Sequence, residues 1–187
     1  MLIADKKFEK LEELSNRDEY EGCIFLNCNL ANGNFSTTRF IECEFVDCNL
    51  SNVLVSETSF REVSFKNCKM IGIQFDTCNQ LLFEASFESC QLDHSVFFKM
   101  KLKQAHFMNC QLVEVDFSET DLSNSKLNGC DLSGTKFDHS NLEKADLTSS
   151  INLVIDPEIN KINQAKIPFS QLPGLLAKYN LKIKKDS

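Results

Sequence analysis

The chain has 187 residues, 42% hydrophobic and 25% charged, with a formal net charge of -7 and three histidines. That length is normally a single domain, and the acidic balance argues against nucleic acid as a direct partner. No stretch approaches the roughly twenty consecutive apolar residues that a membrane span needs, so no membrane partner is expected.

Residues 1–19 open the chain as a charged, polar segment in which Phe8, Leu11 and Leu14 fall at i, i+3, i+6 spacing. This reads as a short N-terminal cap with helical spacing. It has no uninterrupted apolar region, so no signal peptide is expected and the default location is cytoplasmic.

From Tyr20 onward every fifth residue is large and apolar, and the residue two places before it is small or β-branched. The pattern is clearest from Ala105 to Ser149, with Phe107, Leu112, Phe117, Leu122, Leu127, Leu132, Phe137, Leu142 and Leu147. A helix advancing about 100° per residue would smear these groups around its whole cylinder. A flat strand would send successive ones to opposite faces. The chain must turn regularly so that each five-residue unit points its large side chain into one interior, which is the mark of a solenoid.

With four units per coil, residues twenty apart should stack. One column reads Phe25, Phe45, Phe65, Phe87, Phe107, Leu127, Leu147 and a second reads Leu30, Leu50, Met70, Leu92, Leu112, Leu132. The third is Phe35, Val55, Phe75, Phe97, Phe117, Phe137, and the fourth is Tyr20, Phe40, Phe60, Leu82, Leu102, Leu122, Leu142. Two extra residues interrupt the count once, near 78–81, and should bulge outward. Residues 20–149 then make about six and a half coils, a rod of roughly 31 Å at one strand spacing per coil.

Of nine cysteines, Cys28, Cys48, Cys68, Cys90, Cys110 and Cys130 form one vertical column in the small inward slot. Neighbours there lie near disulfide reach, but a thiol is also a small buried hydrophobe. The odd total favours reduced thiols. No CxxC occurs, and the histidines are scattered at outward positions, so no metal and no cofactor are expected.

After Ser149 the period stops, and residues 150–187 read as a closing segment. Ile151 to Ile167 should be irregular or extended, and Ser170 to Tyr179 a short helix ending at Asn180. Leu172, Leu175, Leu176 and Tyr179 fall on one face at i, i+3, i+4, i+7.

No Gly-rich phosphate loop, HExxH, GxSxG or Cys/His pairing appears, so no catalytic residue is expected and an enzyme is disfavoured. Charge is unevenly spread: residues 18–149 hold twenty acidic and ten basic side chains, residues 150–187 three acidic and six basic. The rod is acidic and its tail basic.

The units Cys130-Asp131-Leu132, Ala145-Asp146-Leu147 and Thr120-Asp121-Leu122 resemble the A-(D/N)-L-x-x motif of the pentapeptide-repeat family. The resemblance implies an all-β, right-handed, quadrilateral β-helix solenoid with a short C-terminal helix. Met70 to Cys78 and the DPEIN…KI…LL…I tail are similar to the junction and ends of Qnr-type quinolone-resistance and microcin-immunity members, although the long loops of many Qnr-type members are absent. Those relatives act as DNA mimics on type II topoisomerases and join two rods through the C-terminal region. The resemblance therefore implies DNA gyrase or topoisomerase IV as protein partner, protection against quinolones or a peptide toxin, and a homodimer through Leu172, Leu175, Leu176 and Tyr179. A monomer with the tail as a simple cap explains the same apolar face. On a mimic the carboxylates should gather on one face, and Glu57, Asp76, Asp116, Glu119 and Asp138, against Lys99 and Lys136, make the better candidate. The alternative is a scaffold solenoid that binds another protein without acting on topoisomerases.

Overall fold

The computed structural model describes residues 1–14, 18–81 and 83–184. Leu82, assigned above to the fourth column, lies outside the described residues, as do parts of the expected N-terminal cap (residues 15–17) and of the C-terminal tail (185–187).

The chain winds into a parallel β-solenoid. One side holds β1 (Leu2–Ala4), β3 (Glu19–Glu21), β5 (Arg39–Ile41) and β7 (Ser59–Arg61) in a sheet ordered β1-β3-β5-β7. The next side holds β2 (Lys7–Glu9), β4 (Ile24–Leu26), β6 (Glu44–Val46), β8 (Val63–Lys66), β9 (Ala85–Glu88) and β10 (His106–Met108), stacked in that order. Register follows the columns: Phe25 faces Phe45 and Phe45 faces Phe65, while across the interruption Phe65 faces Phe87, an offset of 22. The other two sides are single-residue bridges, such as Asn29–Asn49–Lys69–Gln91–Gln111–Asp131 and Val96–Asp116–Lys136. Among the described residues no helix is long and apolar enough to cross a membrane.

Because coils repeat at one strand spacing, like rings land on like rings. Phe25 and Phe45 have centroids 4.5 Å apart at 9°, Phe75 and Phe97 4.6 Å at 10°, and Phe87 and Phe107 5.0 Å at 8°. Between columns the rings meet edge to face, as for Phe97 and Phe107 at 87°. Offset stacks and T-shaped pairs are the two arrangements that the ring quadrupole favours.

The small inward slot does more than make room. The Cys110 thiol donates to the Phe87 carbonyl at 3.5 Å, Cys130 to Phe107 at 3.3 Å, Thr120 to Phe97 at 2.6 Å and Ser140 to Phe117 at 2.7 Å. Each side chain caps the carbonyl of the large residue one coil below. All nine cysteines are free and buried. Burial pushes the Cys43 thiol up to about 11 and Cys78 up to about 12.

The two ends differ from the sequence expectation. Phe8, Leu11 and Leu14 do not form a helical cap: β1 and β2 are a further coil, with Ile3 against Tyr20 and Phe8 against Phe25. The Phe8 ring stacks on Phe25 at 5.1 Å, because covering that ring with another ring buries more apolar surface than a charged helix would. Stacking also continues past Ser149, through bridges Asp131–Ile151, Asn141–Lys161 and Asp146–Lys166. Lys161 and Lys166 carbonyls accept from Leu142 and Leu147 at 2.7 and 2.9 Å, so a further coil covers these two rungs.

The expected short helix is present as a 3-10 helix, Phe169–Tyr179, ending on Asn180 in the left-handed conformation. It lies so close to the last coil that a Cβ on Gly174 would collide with the Leu153 carbonyl oxygen. Lys178 bonds Asp156 at 2.7 Å and Glu158 at 2.6 Å, and the Tyr179 hydroxyl donates to Glu158. With three residues per turn, Leu172 and Leu175 fall on one line and Leu176 and Tyr179 on another, so the four do not form the single face expected. Leu175 turns onto the core, while Leu172, Leu176 and Tyr179 are exposed.

Burial predicts inertness for the Cys43 and Cys78 thiols. Native protein treated with iodoacetamide at pH 8 should remain unlabelled at Cys43 and Cys78, with labelling only after unfolding, as read by mass spectrometry. Rapid native labelling would contradict the buried geometry.

Candidate functional site

Each coil leaves three outward positions per side: one before the large residue, one after it, and one at the corner. On the side built over Phe75, Phe97, Phe117 and Phe137 the expected carboxylates occupy all three. Asp116 stands in the bridge column between Val96 and Lys136. Asp76 and Asp138 directly follow the core rings Phe75 and Phe137, and Glu57 and Glu119 sit at corners, both with φ 56°. The structure thus brings these five residues onto one face of the rod.

They are not equivalent. The Asp116 carboxylate accepts the Ser118 backbone N–H at 2.8 Å, two residues on. The same turn recurs at Asp121–Ser123, Asp131–Ser133 and Asp146–Thr148, at 3.0 or 3.1 Å. This is the physical content of Asp or Asn at the second place of each unit: its side chain fixes the following corner. Asp116 is therefore both a surface charge and part of the turn. Glu119 pairs with Lys99 at 3.3 Å, one coil below, and the Lys99 ammonium also lies 4.6 Å from the Phe98 ring centroid. Asp138 meets His139 Nδ1 at 2.8 Å. Asp76 is partly withdrawn; burial, with the Asp116 charge as a lesser contribution, raises its carboxyl above the ordinary range, against an opposing backbone bond. Glu57 is exposed and has no ion-pair partner among the described residues.

Two features escaped the sequence reading. Asp93, Glu114 and Asp131 on the adjoining side extend the acidic surface around the corner; their places beside Leu92, Leu112 and Leu132, which stack at twenty-residue intervals, could have located them. The acidic face also carries apolar side chains, with Leu54 59% exposed and Val96 and Phe98 half-buried. Alternation alone gave no reason to expect a phenylalanine outside.

The surface is a convex face of carboxylates, partly neutralised by lysines, with apolar side chains among them. It suits docking onto a basic, partly apolar partner surface better than enclosing a small substrate.

A family model described as a pentapeptide repeat region matches residues 19–97 and 80–152. No curated protein sequence matches the chain. Among solved structures, two trypsin-treated variants of QnrB1, described as a plasmid-mediated fluoroquinolone resistance protein, superpose over nearly the whole length. One has 20% identity, a TM-score of 0.56 and 98% coverage of both chains. The other has 17% identity, a TM-score of 0.62 and 99% coverage of both. At these identities the likeness concerns the fold.

The double role of Asp116 gives a test. Asp116→Ala should lower stability by roughly 1 kcal/mol, the typical worth of such a side-chain cap. Asp116→Asn, which keeps the acceptor, should stay near wild type in urea denaturation. Equal losses would assign the effect to charge instead.

Proposed function

Because the chain belongs to the pentapeptide-repeat family, we propose that its acidic face works as a non-enzymatic DNA mimic that docks on a cytoplasmic type II topoisomerase, DNA gyrase or topoisomerase IV, and protects it from quinolones or a peptide toxin. The observation that carries this reading is the gathering of Glu57, Asp76, Asp116, Glu119 and Asp138 on one side of the solenoid, with Asp116 in the bridge column and Asp76 in a short 3-10 turn, Phe75–Thr77. Duplex DNA presents one negative charge per about 1.7 Å of axis. A repeat rod of roughly 31 Å at about 4.8 Å per coil, with twenty acidic against ten basic residues over positions 18–149, carries about half that density. That suffices to draw in a basic DNA-binding saddle. The description of QnrB1 as a resistance protein supports the same direction for this fold.

The decisive measurement is gyrase supercoiling in the presence of ciprofloxacin with increasing amounts of the protein. Wild type should rescue supercoiling or inhibit it directly, and the effect should weaken steeply with salt. The variant Asp76→Asn, Asp116→Asn, Glu119→Gln, Asp138→Asn removes four charges while retaining the Asp116 turn. It should lose at least about tenfold in effective concentration. Wild-type rescue by that folded variant would sink the assignment of the face.

One observation favours a second reading, a scaffold solenoid that binds some other protein. Leu54, Val96 and Phe98 give the face apolar side chains that a phosphate backbone lacks. That reading predicts no effect on supercoiling at any concentration, with several topoisomerases tried.

The tail completes the proposal. Leu172, Leu176 and Tyr179 offer an exposed apolar surface for a second copy, with Leu175 beneath them bracing the helix on the core. Sedimentation should give a dimer for wild type and a monomer for Leu172→Asp, Leu176→Asp. A monomeric wild type would remove the dimer.

A further inference from the structure

The side that carries Phe40 and Phe60 contains one place where the ladder breaks. Its four-stranded sheet ends at β7, and regular bridging on that side resumes only with Lys101–Asp121. In a regular coil the N–H at the position of Glu84 points to the coil above, as Gln104 donates to Ser123 at 3.0 Å. Glu84 instead donates to the Phe60 carbonyl below, at 2.9 Å. The rung has dropped, and a cavity of about 640 Å³ opens beneath Lys101–Gln104. Phe83, Ala85, Leu102 and Ala105 line it, and the Phe83 ring is anchored edge-on against Phe60 and Phe75.

The strand edge above this notch is open. One and two coils higher, the equivalent N–H groups of Asp121 and Asn141 donate to Met100 and Thr120, both at 2.9 Å. Among the described residues the Lys101 N–H and the Lys103 carbonyl have no such partner. A donor and an acceptor two residues apart on one edge are what an extended strand pairs with.

The side chains specify which strand. Lys101 and Lys103 are both exposed; Lys103 reaches Asp121 at 3.5 Å, and Lys101 has no ion-pair partner among the described residues. Lysines along an open edge deter self-pairing, because a second copy would set lysine against lysine. An incoming strand would place its outward residues about one strand spacing below them, where opposite charges stabilise the pair. At the corner end Glu62 and Glu84 line the cavity, so there a basic residue fits. We infer that this notch is a docking site for an extended acidic segment of a partner protein, added as a strand along Lys101–Lys103 with a basic residue toward Glu62 and Glu84.

The test is fluorescence anisotropy with a labelled peptide, Ser-Glu-Val-Glu-Val-Lys-Ser, against its charge-reversed and backbone N-methylated forms, with amide exchange at Lys101 read in parallel. The acidic peptide should bind saturably and slow Lys101 exchange. Both control peptides, and the protein variant Lys101→Glu, Lys103→Glu, should weaken binding at least about tenfold. The milder Lys101→Gln, Lys103→Gln variant should fall between, which guards against misreading a folding defect. Absence of saturable binding would overturn the proposal. So would unchanged affinity for the N-methylated peptide, or for the folded Lys101→Glu, Lys103→Glu variant. The neutralised acidic-face variant should bind the peptide like wild type, which separates this site from the topoisomerase reading.

Discussion

The hydrogen-bonded ladder between successive coils is the constraint on which everything else depends. It fixes the coil spacing at about 4.8 Å and brings each residue over its counterpart one coil below. Phenylalanine is suited to that repeat, since rings about 5 Å apart can stack in offset. The ladder also holds the corners. Thr37, Lys99, Glu57 and Glu119 all take positive φ between 56° and 63°, a conformation that costs about 1 kcal/mol or more for a residue with a Cβ. They keep it because the neighbouring coils bind the corner amides: Glu119 N–H donates to Asp138 at 2.7 Å and Thr37 N–H to Ser56 at 2.9 Å.

The same constraint explains why the inward cysteines need neither metal nor disulfide to account for them. A thiol, a threonine hydroxyl and a serine hydroxyl occupy equivalent slots at Cys110, Thr120 and Ser140, and each donates to a carbonyl one coil below. What the slot demands is small volume and a donor. Cysteine meets both demands, and at Cys43 and Cys78 burial opposes the thiolate on which redox and metal chemistry depend, whereas hydrogen bonds from neighbouring thiols lower Cys48 and Cys90.

The middle of the rod was legible because two independent periodicities agreed: large residues every five positions, and sorting of Phe from Leu every twenty. The ends were harder to see. Ile162 and Ile167 stand twenty beyond Leu142 and Leu147, yet the segment before them, with Leu153 and Ile155 buried, breaks the count of five. At the N-terminus Ile3 and Phe8 are five apart but only seventeen before Tyr20 and Phe25, so the coil is three residues short and the column goes unnoticed. In the acidic face the positions followed from the column count, but the ion pair between Glu119 and Lys99 and the withdrawal of Asp76 did not, because they depend on rotamers and local depth.

Function in such a molecule has to reside where the repeat is modified, because a perfect repeat presents the same surface on every coil. The acidic face modifies it chemically: outward positions that are neutral in one coil, such as Val96, are charged in the next, such as Asp116, while the backbone is unchanged. The interruption modifies it geometrically. Two extra residues shift the register from 20 to 22 between Phe65 and Phe87 on one side, and on the adjoining side they send the Glu84 amide down to Phe60 and uncouple a rung. The Phe83 ring packs edge-on against Phe60 and Phe75 beside the defect. Among the described residues, the interruption leaves the Lys101 N–H and the Lys103 carbonyl without a partner in the coil below, beside two exposed lysine side chains. That pairing of an open edge with a charge that selects its occupant follows from the ladder rule itself.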